Sequence, residues 1–281
     1  MSGWLLAATA AMLSVLVFPR FDMVWLAPLC LAPLVVAVAR EQRAGKRLLL
    51  GWLAGAIYWF GVCYWIQAVL EDYGGVGAAG GWAVFLLFCL AKGLHWAVFG
   101  WLAGYLTRGW WAIPAVAALW TGIERTNGPF GFAWLCLGNA GIDMGVPMRL
   151  APLAGVYGLS FAFAMMNVAA ALVVLRRPRI HLMPVLVIPL LFFLPAMPEA
   201  EPGKETAVVM QPNVEEKQEW SRQALENTIQ RMSMLALNAA ISQNPGPNLI
   251  LWPEAPVPFY YETDAFLRDQ TAQLARLTRS S

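Results

Sequence analysis

The uneven distribution of charge along the chain constrains its fold more than any other feature. Residues 1–198 carry 18 charged side chains, and residues 199–281, a segment less than half as long, also carry 18. Soluble domains usually contain about 25% charged residues, a density that only the second segment approaches. The pattern therefore predicts a membrane domain over residues 1–198 and a water-exposed domain over residues 199–281. The net charge of +2 gives no basic surface for nucleic acid, so we expect no nucleic-acid partner.

Apolar stretches in the first segment approach the length of a bilayer-spanning helix, which needs about 20 mostly apolar residues. Seven stretches qualify, at residues 3–18, 23–39, 48–70, 82–106, 110–124, 150–175 and 180–197. We interpret the first as an uncleaved span rather than a signal peptide, because no basic residue precedes it. The predicted fold class of this segment is a polytopic α-helical membrane bundle of about seven spans.

The basic residues of the connecting loops predict an orientation. If the N-terminus is cytoplasmic, the inside loops hold eight Lys and Arg side chains and the outside loops hold three. This bias agrees with the positive-inside rule. Seven spans then place residues 199–281 outside the cytoplasm. The predicted localisation is the inner membrane of a bacterium, with several spans and a periplasmic C-terminal segment.

Two features inside the membrane segment are functional candidates. Lys92 and His95 are three residues apart and share one face of a helix, and an intramembrane ionisable pair is a candidate by default. The alternative is that Lys92 either extends its amine toward the membrane surface or faces the bundle interior, and that His95 completes a hydrogen bond. The stretch 124–143 is too apolar for an exposed loop, and we predict that it lies on or dips into the outer leaflet. A plain interfacial loop is the alternative.

The four cysteines occur in apolar stretches without a Cys-x-x-Cys motif or a nearby pair of histidines. This pattern predicts small buried side chains rather than disulfides or a zinc site. They are Cys30, Cys63, Cys89 and Cys136.

The second segment has the pattern of a strand–helix–strand unit. The Ala-Val-Val-Met core of the segment 206–213 and the apolar run in the segment 248–254 predict strands buried on both faces. Between them, residues 215–243 have the spacing of a helix, and residues 264–279 predict a final helix. The apolar residues that set the first spacing are Leu225, Ile229, Met232 and Ala236. Such a unit pairs its two strands in parallel through a right-handed crossover.

Glu254 is the main catalytic candidate of this segment. It follows the second strand, and α/β sheets gather their chemistry beyond the carboxyl ends of strands. The neighbouring residues Pro253, Pro256 and Pro258 restrict the backbone and hold the carboxylate in place. Glu254 is therefore a candidate general base. The alternative is a structural glutamate that accepts hydrogen bonds from loop amides.

A Trp-Pro-Glu motif after a strand resembles the nitrilase (carbon–nitrogen hydrolase) superfamily, and the preceding membrane bundle makes the chain similar to bacterial apolipoprotein N-acyltransferases. Several stretches resemble that family and occur in its order. They are FPRFDMVWLAPLCLAPL (18–34), WIQAVLEDYGG (65–75), GPFGFAWLCLGNAGID (128–143), LAPLAGVYGLSF (150–161), VVMQPNVEEKQEW (208–220) and LILWPEAPVP (249–258). The resemblance implies a fold in which the bundle is followed by an incomplete nitrilase-like α/β domain.

The resemblance also implies a reaction. The family transfers an acyl chain from a phospholipid to the lipidated N-terminal cysteine of a diacylglyceryl apolipoprotein, through a thioester on an enzyme cysteine, and it uses no cofactor or metal. Its triad is Glu, Lys and Cys. The motif match assigns the glutamate to Glu254, and a looser match assigns an aromatic residue that positions substrate to Trp220. The family's Lys and Cys lie beyond the Trp-Pro-Glu motif, whereas the last Lys and Cys here are Lys217 and Cys136. We therefore expect this chain to be inactive alone.

The sequence leaves two alternative interpretations of function open. A membrane-tethered amidase of the same superfamily would share Glu254 but would not need a seven-span bundle. A non-catalytic membrane protein, such as a transporter or scaffold with an extramembrane tail, predicts internal repeats and gives no reason for Trp-Pro-Glu after a strand.

Overall fold

A computed structural model describes residues 2–129, 132, 134–196, 203, 205–213, 221–242, 249–253 and 261–279. The chain divides into two compact units, Met1–Pro198 and Glu199–Ser281.

The first unit is helical. Its α-helices are α1 (Gly3–Val17), α2 (Ala32–Arg40), α3 (Ala44–Cys63), α4 (Trp65–Asp72), α5 (Gly77–Leu106), α6 (Ala112–Thr126), α7 (Gly145–Met148) and α8 (Ala151–Val174). Three further segments are 3₁₀-helical, namely Val24–Leu26, Leu137–Gly141 and Arg179–Phe193.

The membrane character of this unit is confirmed, at a coarser level than seven spans. Among the described residues, α5 and α8 are long and apolar enough to cross a bilayer, and α3 with α4 gives a third candidate that bends by 60° at Tyr64. Helix α1 and the segment Arg179–Phe193 are apolar but shorter. The count of seven spans stays a prediction.

The structure corrects the second predicted span, because residues 23–39 do not form one continuous helix. A short 3₁₀ turn is followed by turns, and α2 begins only at Ala32. Pro28 and Pro33 explain the break, since proline removes a backbone donor and disfavours helix at the preceding residue. The fully buried Asn167 of α8 satisfies the interrupted backbone. It accepts from Leu31 N (2.7 Å) and Ala32 N (3.1 Å) and donates to Ala27 O (2.7 Å).

Helices α3 and α5 pack with their backbones close together because both carry the sequence Gly-Trp-Leu-Ala-Gly, at 51–55 and 100–104. A Cβ atom at Gly51 would overlap the carbonyl oxygen of Trp96, and one at Gly100 would lie 2.8 Å from the carbonyl oxygen of Arg47. Small residues spaced by four allow this approach in membrane helices. Gly45, on the same helix α3, has no neighbour within 4 Å of such a Cβ atom.

The second unit confirms the predicted strand–helix–strand order. It contains β1 (Ala207–Val209), α9 (Arg222–Ser242), β2 (Leu249–Leu251) and α10 (Ala265–Thr278). The two strands pair in parallel, with Val208 opposite Ile250. The helices are joined by Asp264, which caps α10 by accepting from Leu267 N and also accepts from Arg222 Nη1, both at 2.9 Å.

Burial in this unit differs from the prediction of strands covered on both faces. Val208 and Ile250 pack against the helices, but Val209 is 74% exposed and Leu251 is 43% exposed. One layer of helices covers one face of a sheet, so the side chains that alternate to the other face stay open. The helix spacing is confirmed for three of its four predicted residues, since Ile229, Met232 and Ala236 are fully buried; the side chain of Leu225 lies outside the described residues.

The glycine contacts between α3 and α5 generate a test of the bundle. Gly51→Ala inserts a methyl group against backbone that cannot rotate away, and overpacking of this kind costs about 1–3 kcal/mol. Gly45→Ala is the matched control, and its better helix propensity favours folding by up to about 1 kcal/mol. Thermal unfolding in detergent, followed by tryptophan fluorescence, should show a lower Tm for Gly51→Ala only. Equal Tm values for the two variants would contradict the close packing.

Candidate functional site

The two residues that the sequence assigns to catalysis and substrate positioning, Glu254 and Trp220, lie outside the described residues. The structure does describe the chain that leads to Glu254. Trp252 follows β2 directly and packs against both apolar clusters of the second unit. Gln211 follows β1 at the same end of the parallel pair, because Met210 N donates to Leu251 O at 2.9 Å. These two strand ends therefore form the edge of the sheet at which we expect the catalytic residues to lie.

In the first unit, the connection between α6 and α8 packs into the helix bundle. Its 3₁₀ segment Leu137–Gly141 is largely buried, with Leu137 only 3% exposed. This agrees with the prediction that the stretch 124–143 is not an ordinary exposed loop. Its placement in the outer leaflet stays a prediction.

Three side chains from three different helices hold the backbone of this connection. Each makes one hydrogen bond to a main-chain group within four consecutive residues. The bonds are Tyr58 Oη to Leu135 O (3.3 Å), Leu137 N to Glu124 Oε1 (2.7 Å) and Gly138 N to Ser160 Oγ (2.8 Å). Because the three donors and acceptors lie on α3, α6 and α8, the loop conformation depends on the positions of all three helices.

Glu124 is the central member of this group, and the sequence reasoning missed its role. The carboxylate is 6% exposed, and its Oε1 also accepts from Trp120 Nε1 at 2.9 Å. A buried carboxylate needs such partners because burial of an unpaired charge is costly. The available signal was a lone acidic residue at the end of an apolar stretch, directly before an apolar loop.

Gly138 is required by the close approach of the 3₁₀ segment to α8. A Cβ atom at this position would overlap the carbonyl oxygen of Val156. The short distance lets the Gly138 amide reach Ser160, so the glycine and the serine act together to seat the loop.

An aromatic cluster fixes the beginning of the same loop. Phe132 has a φ of 63°, which costs energy for a bulky residue and persists only where surrounding contacts hold it. Its ring lies 5.4–6.3 Å, centroid to centroid, from four other aromatic rings. They belong to Trp59, Trp65, Phe88 and Trp134. Trp65 and Trp134 are also 41% and 55% exposed, as suits side chains at a membrane–water interface.

Lys92 and His95 both lie on α5, and Lys92 faces the bundle interior. Lys92 is buried, with its Nζ 5.3 Å from the centroid of the Trp59 ring. His95 Nδ1 lies 3.3 Å from the carbonyl oxygen of Lys92. This arrangement matches the alternative in which Lys92 points inward and His95 completes a hydrogen bond.

The four cysteines are free, and Cys30, Cys63 and Cys89 are buried. Cys136, in the loop, is the partly exposed one, and burial of its sulfur raises the pKa of the thiol to about 12. A thiolate is the nucleophilic form of cysteine, so Cys136 is poorly suited to nucleophilic chemistry near neutral pH. Within the part of the chain that the structure describes, no three His, Cys, Asp or Glu side chains converge on a metal site.

The profile match and the similar curated proteins point to the same family. Residues 10–169 match the profile of the apolipoprotein N-acyltransferase N-terminal domain. Several similar curated proteins carry the name apolipoprotein N-acyltransferase. The one from Geobacter metallireducens is 27% identical over 97% of this chain and 55% of its own length. Those from Azotobacter vinelandii and Pseudomonas syringae pv. tomato are 34% and 32% identical, over 92% and 93% of this chain and 52% and 54% of their own lengths.

The chain spans about half the length of these curated relatives. The matched profile covers more than half of the chain. It includes Tyr58, Glu124 and Ser160 and the loop residues that these side chains hold. On these grounds the chain belongs to the family of the apolipoprotein N-acyltransferase N-terminal domain.

Proposed function

We propose that this chain contributes to the transfer of an acyl chain from a phospholipid to the N-terminal lipidated cysteine of a diacylglyceryl apolipoprotein. The observation that carries the proposal is the family match over residues 10–169. Relatives that carry the name apolipoprotein N-acyltransferase match most of the length of this chain. In this proposal residues 1–198 form the membrane domain, and residues 199–281 form the first part of a nitrilase-like domain.

The proposed chemistry proceeds in two steps. A cysteine thiolate attacks the ester carbonyl of the phospholipid, a thioester forms, and the lysophospholipid leaves. The free α-amine of the apolipoprotein then attacks the thioester, an amide forms, and the thiol is restored. Both steps need a group that removes a proton from the nucleophile, and we assign this role to Glu254.

The loop between α6 and α8 is the part of the membrane unit best suited to contact the phospholipid head group. Its backbone is fixed by Tyr58, Glu124 and Ser160. Fixed groups lower the entropic cost of orienting a bound substrate. The exposed rings of Trp65 and Trp134 suit the boundary between acyl chains and water. We therefore assign to this loop the guidance of the head group, and to Trp220 the positioning of substrate near Glu254.

The proposed topology has seven crossings with residues 199–281 in the periplasm. This proposal needs α1, the interrupted segment from Val24 to Arg40, α6 and Arg179–Phe193 each to cross the bilayer, in addition to α5, α8 and the bent pair of α3 with α4. The last crossing, Arg179–Phe193, has only 15 residues. A 3₁₀-helix rises about 2.0 Å per residue, so 15 residues reach about 30 Å, which is the thickness of the hydrocarbon core.

The alternative of a membrane-tethered amidase shares Glu254, but it gives no role to the membrane unit that the family match covers. The alternative of a transporter or scaffold gives no role to the Trp-Pro-Glu motif. The acyltransferase proposal accounts for both features.

The topology generates a reporter experiment. Alkaline phosphatase fused after Glu199 should be active, because it folds only outside the cytoplasm, and a fusion after Arg43 should be inactive because that connection is cytoplasmic in the proposed orientation. A cytoplasmic reporter at the same two sites should give the opposite pattern. Phosphatase activity at Arg43 and none at Glu199 would overturn the orientation.

The assignment of Glu254 is tested in the complete acyltransferase. Glu254→Gln keeps the shape of the side chain but removes the base, and loss of general base catalysis typically lowers rates by about 10² to 10⁴. Thioester formation, measured by mass spectrometry in single turnover, should fall by this order while Tm stays near the parent value. Glu262→Gln, an exposed acid of the same segment, is the control. Near-normal thioester formation in Glu254→Gln would reduce Glu254 to a structural residue.

The role of the loop is tested at Glu124. Glu124→Ala removes the acceptor for Leu137 N and Trp120 Nε1, and a hydrogen bond to a charged group is worth about 1.5–3 kcal/mol. Glu124→Gln keeps an acceptor at the same place. In the complete enzyme we expect the alanine variant to raise KM for phospholipid more than it lowers kcat, with partial rescue by glutamine. Glu71→Ala, at an exposed position of α4, should leave KM unchanged. An unchanged KM for Glu124→Ala would show that the loop does not guide the head group.

A further inference from the structure

A small cavity lies beside Glu124 in the interior of the first unit. Its volume is about 20 Å³. A second cavity, which Glu124 also lines, is about 10 Å³. A space of roughly 10–15 Å³ is needed to hold one water molecule, so the first cavity is large enough and the second lies at the lower limit. Nine residues line the first cavity, and they are Tyr58, Trp59, His95, Trp96, Trp120, Ile123, Glu124, Asn127 and Leu135.

Three of these lining residues each have a buried polar atom without a hydrogen-bond partner among the described residues. The atoms are Trp59 Nε1, Glu124 Oε2 and Asn127 Oδ1. Glu124 is more than nine-tenths buried and Trp59 is 1% exposed. Buried polar groups in proteins are almost always paired, with protein or with ordered water. Leaving each of them unpaired would cost about 1–3 kcal/mol.

We propose that this cavity binds one structural water molecule that joins Trp59, Glu124 and Asn127. The donors and acceptors of these three groups match the hydrogen-bonding capacity of one water molecule. The indole N–H of Trp59 donates to the water oxygen, and the two water protons are donated to Glu124 Oε2 and Asn127 Oδ1. Three hydrogen bonds are typical of a buried water. If the Asn127 amide is rotated so that its nitrogen faces the cavity, the water accepts a second bond there and still donates to Glu124.

The chemistry also argues against other occupants. The volume is too small for a lipid head group or an amino acid. An anion would meet the carboxylate of Glu124 and is excluded by charge. A metal ion is disfavoured because, among the lining side chains, only Tyr58, His95, Glu124 and Asn127 carry atoms able to coordinate it. The described residues also contain no cluster of three His, Cys, Asp or Glu side chains that could hold a metal ion.

The water site would connect the helix of Trp59, which is α3, with the end of α6. Through its other oxygen, Glu124 already holds Leu137 N, so the water would complete the set of contacts that fixes the loop. This inference concerns the folded membrane unit and does not depend on the proposed acyl transfer.

The test uses the full chain in lipid nanodiscs. A density map at a resolution that shows ordered waters should contain a peak within hydrogen-bond distance of Trp59 Nε1, Glu124 Oε2 and Asn127. Hydroxyl-radical footprinting in ¹⁸O water provides the second measurement, because radicals formed from a buried water label the adjacent ring. Trp59 should take up ¹⁸O several-fold faster than Phe85, which is fully buried and lines neither cavity.

Two variants test whether the label on Trp59 comes from water in this cavity. Asn127→Leu removes one partner and fills the cavity, so the label on Trp59 should fall to the level of Phe85. Thr126→Val is the matched control, since its hydroxyl bonds only to Ile123 O and does not line the cavity, and it should leave the label unchanged. The absence of a density peak in the parent chain, labelling of Trp59 no faster than that of Phe85, or a Trp59 label that survives Asn127→Leu would each overturn the water site.

Discussion

The first unit depends on one constraint, which is that every backbone group leaving a helix inside an apolar bundle needs a new partner. Among the described residues, two departures from helical geometry illustrate this constraint, one around residues 27–32 and one around residues 135–141. In the first case the side chain of Asn167 accepts from the Leu31 and Ala32 amides and donates to the Ala27 carbonyl. In the second case Glu124, Ser160 and Tyr58 each supply one group. The buried side chains of Asn167, Glu124 and Ser160 are thus placed where the backbone requires them.

These polar contacts also make the helices interdependent. Asn167 and Ser160 lie on the same helix, α8, and one bonds the break before α2 while the other bonds the loop after α6. A shift of α8 would therefore disturb both irregular segments together. Helix α5 meets α3 through glycine contacts and meets the loop through Phe88, whose ring lies 5.4 Å from that of Phe132.

Local patterns in the sequence predicted much of this architecture, for physical reasons that can be identified. The parallel pairing of β1 with β2 follows from short apolar runs separated by a helix-spaced segment, and it is confirmed. The inward position of Lys92 follows from the cost of a charge facing lipid. The break in the second span was missed because average hydrophobicity does not record that Pro28 and Pro33 interrupt backbone hydrogen bonds.

The role of Glu124 could not be read from the sequence, because it depends on contacts between distant parts of the chain. Its partner Leu137 is an unremarkable apolar residue, and the bond forms through the backbone of that residue. The exposure of one strand face was foreseeable in part, since a single strand–helix–strand unit has too few elements to cover both faces of its sheet. Glu254 and Trp220 stay predictions that rest on the motif alone.

The 3₁₀ geometry of Arg179–Phe193 has a consequence for the kind of membrane that suits the protein. The same 15 residues would reach only about 22 Å as an α-helix, with a rise of 1.5 Å per residue. Arg149 Nη1 donates to Phe192 O at 2.8 Å and to Leu194 O at 3.2 Å. These two bonds hold the C-terminal end of the 3₁₀ segment. Pro184 and Pro189 lie inside the segment, and each lacks the N–H that an interior residue of an α-helix donates. The prolines therefore oppose rewinding into the shorter helix. In the proposed topology a bilayer thinner or thicker than about 30 Å would have to adapt to this segment, rather than the segment to the bilayer.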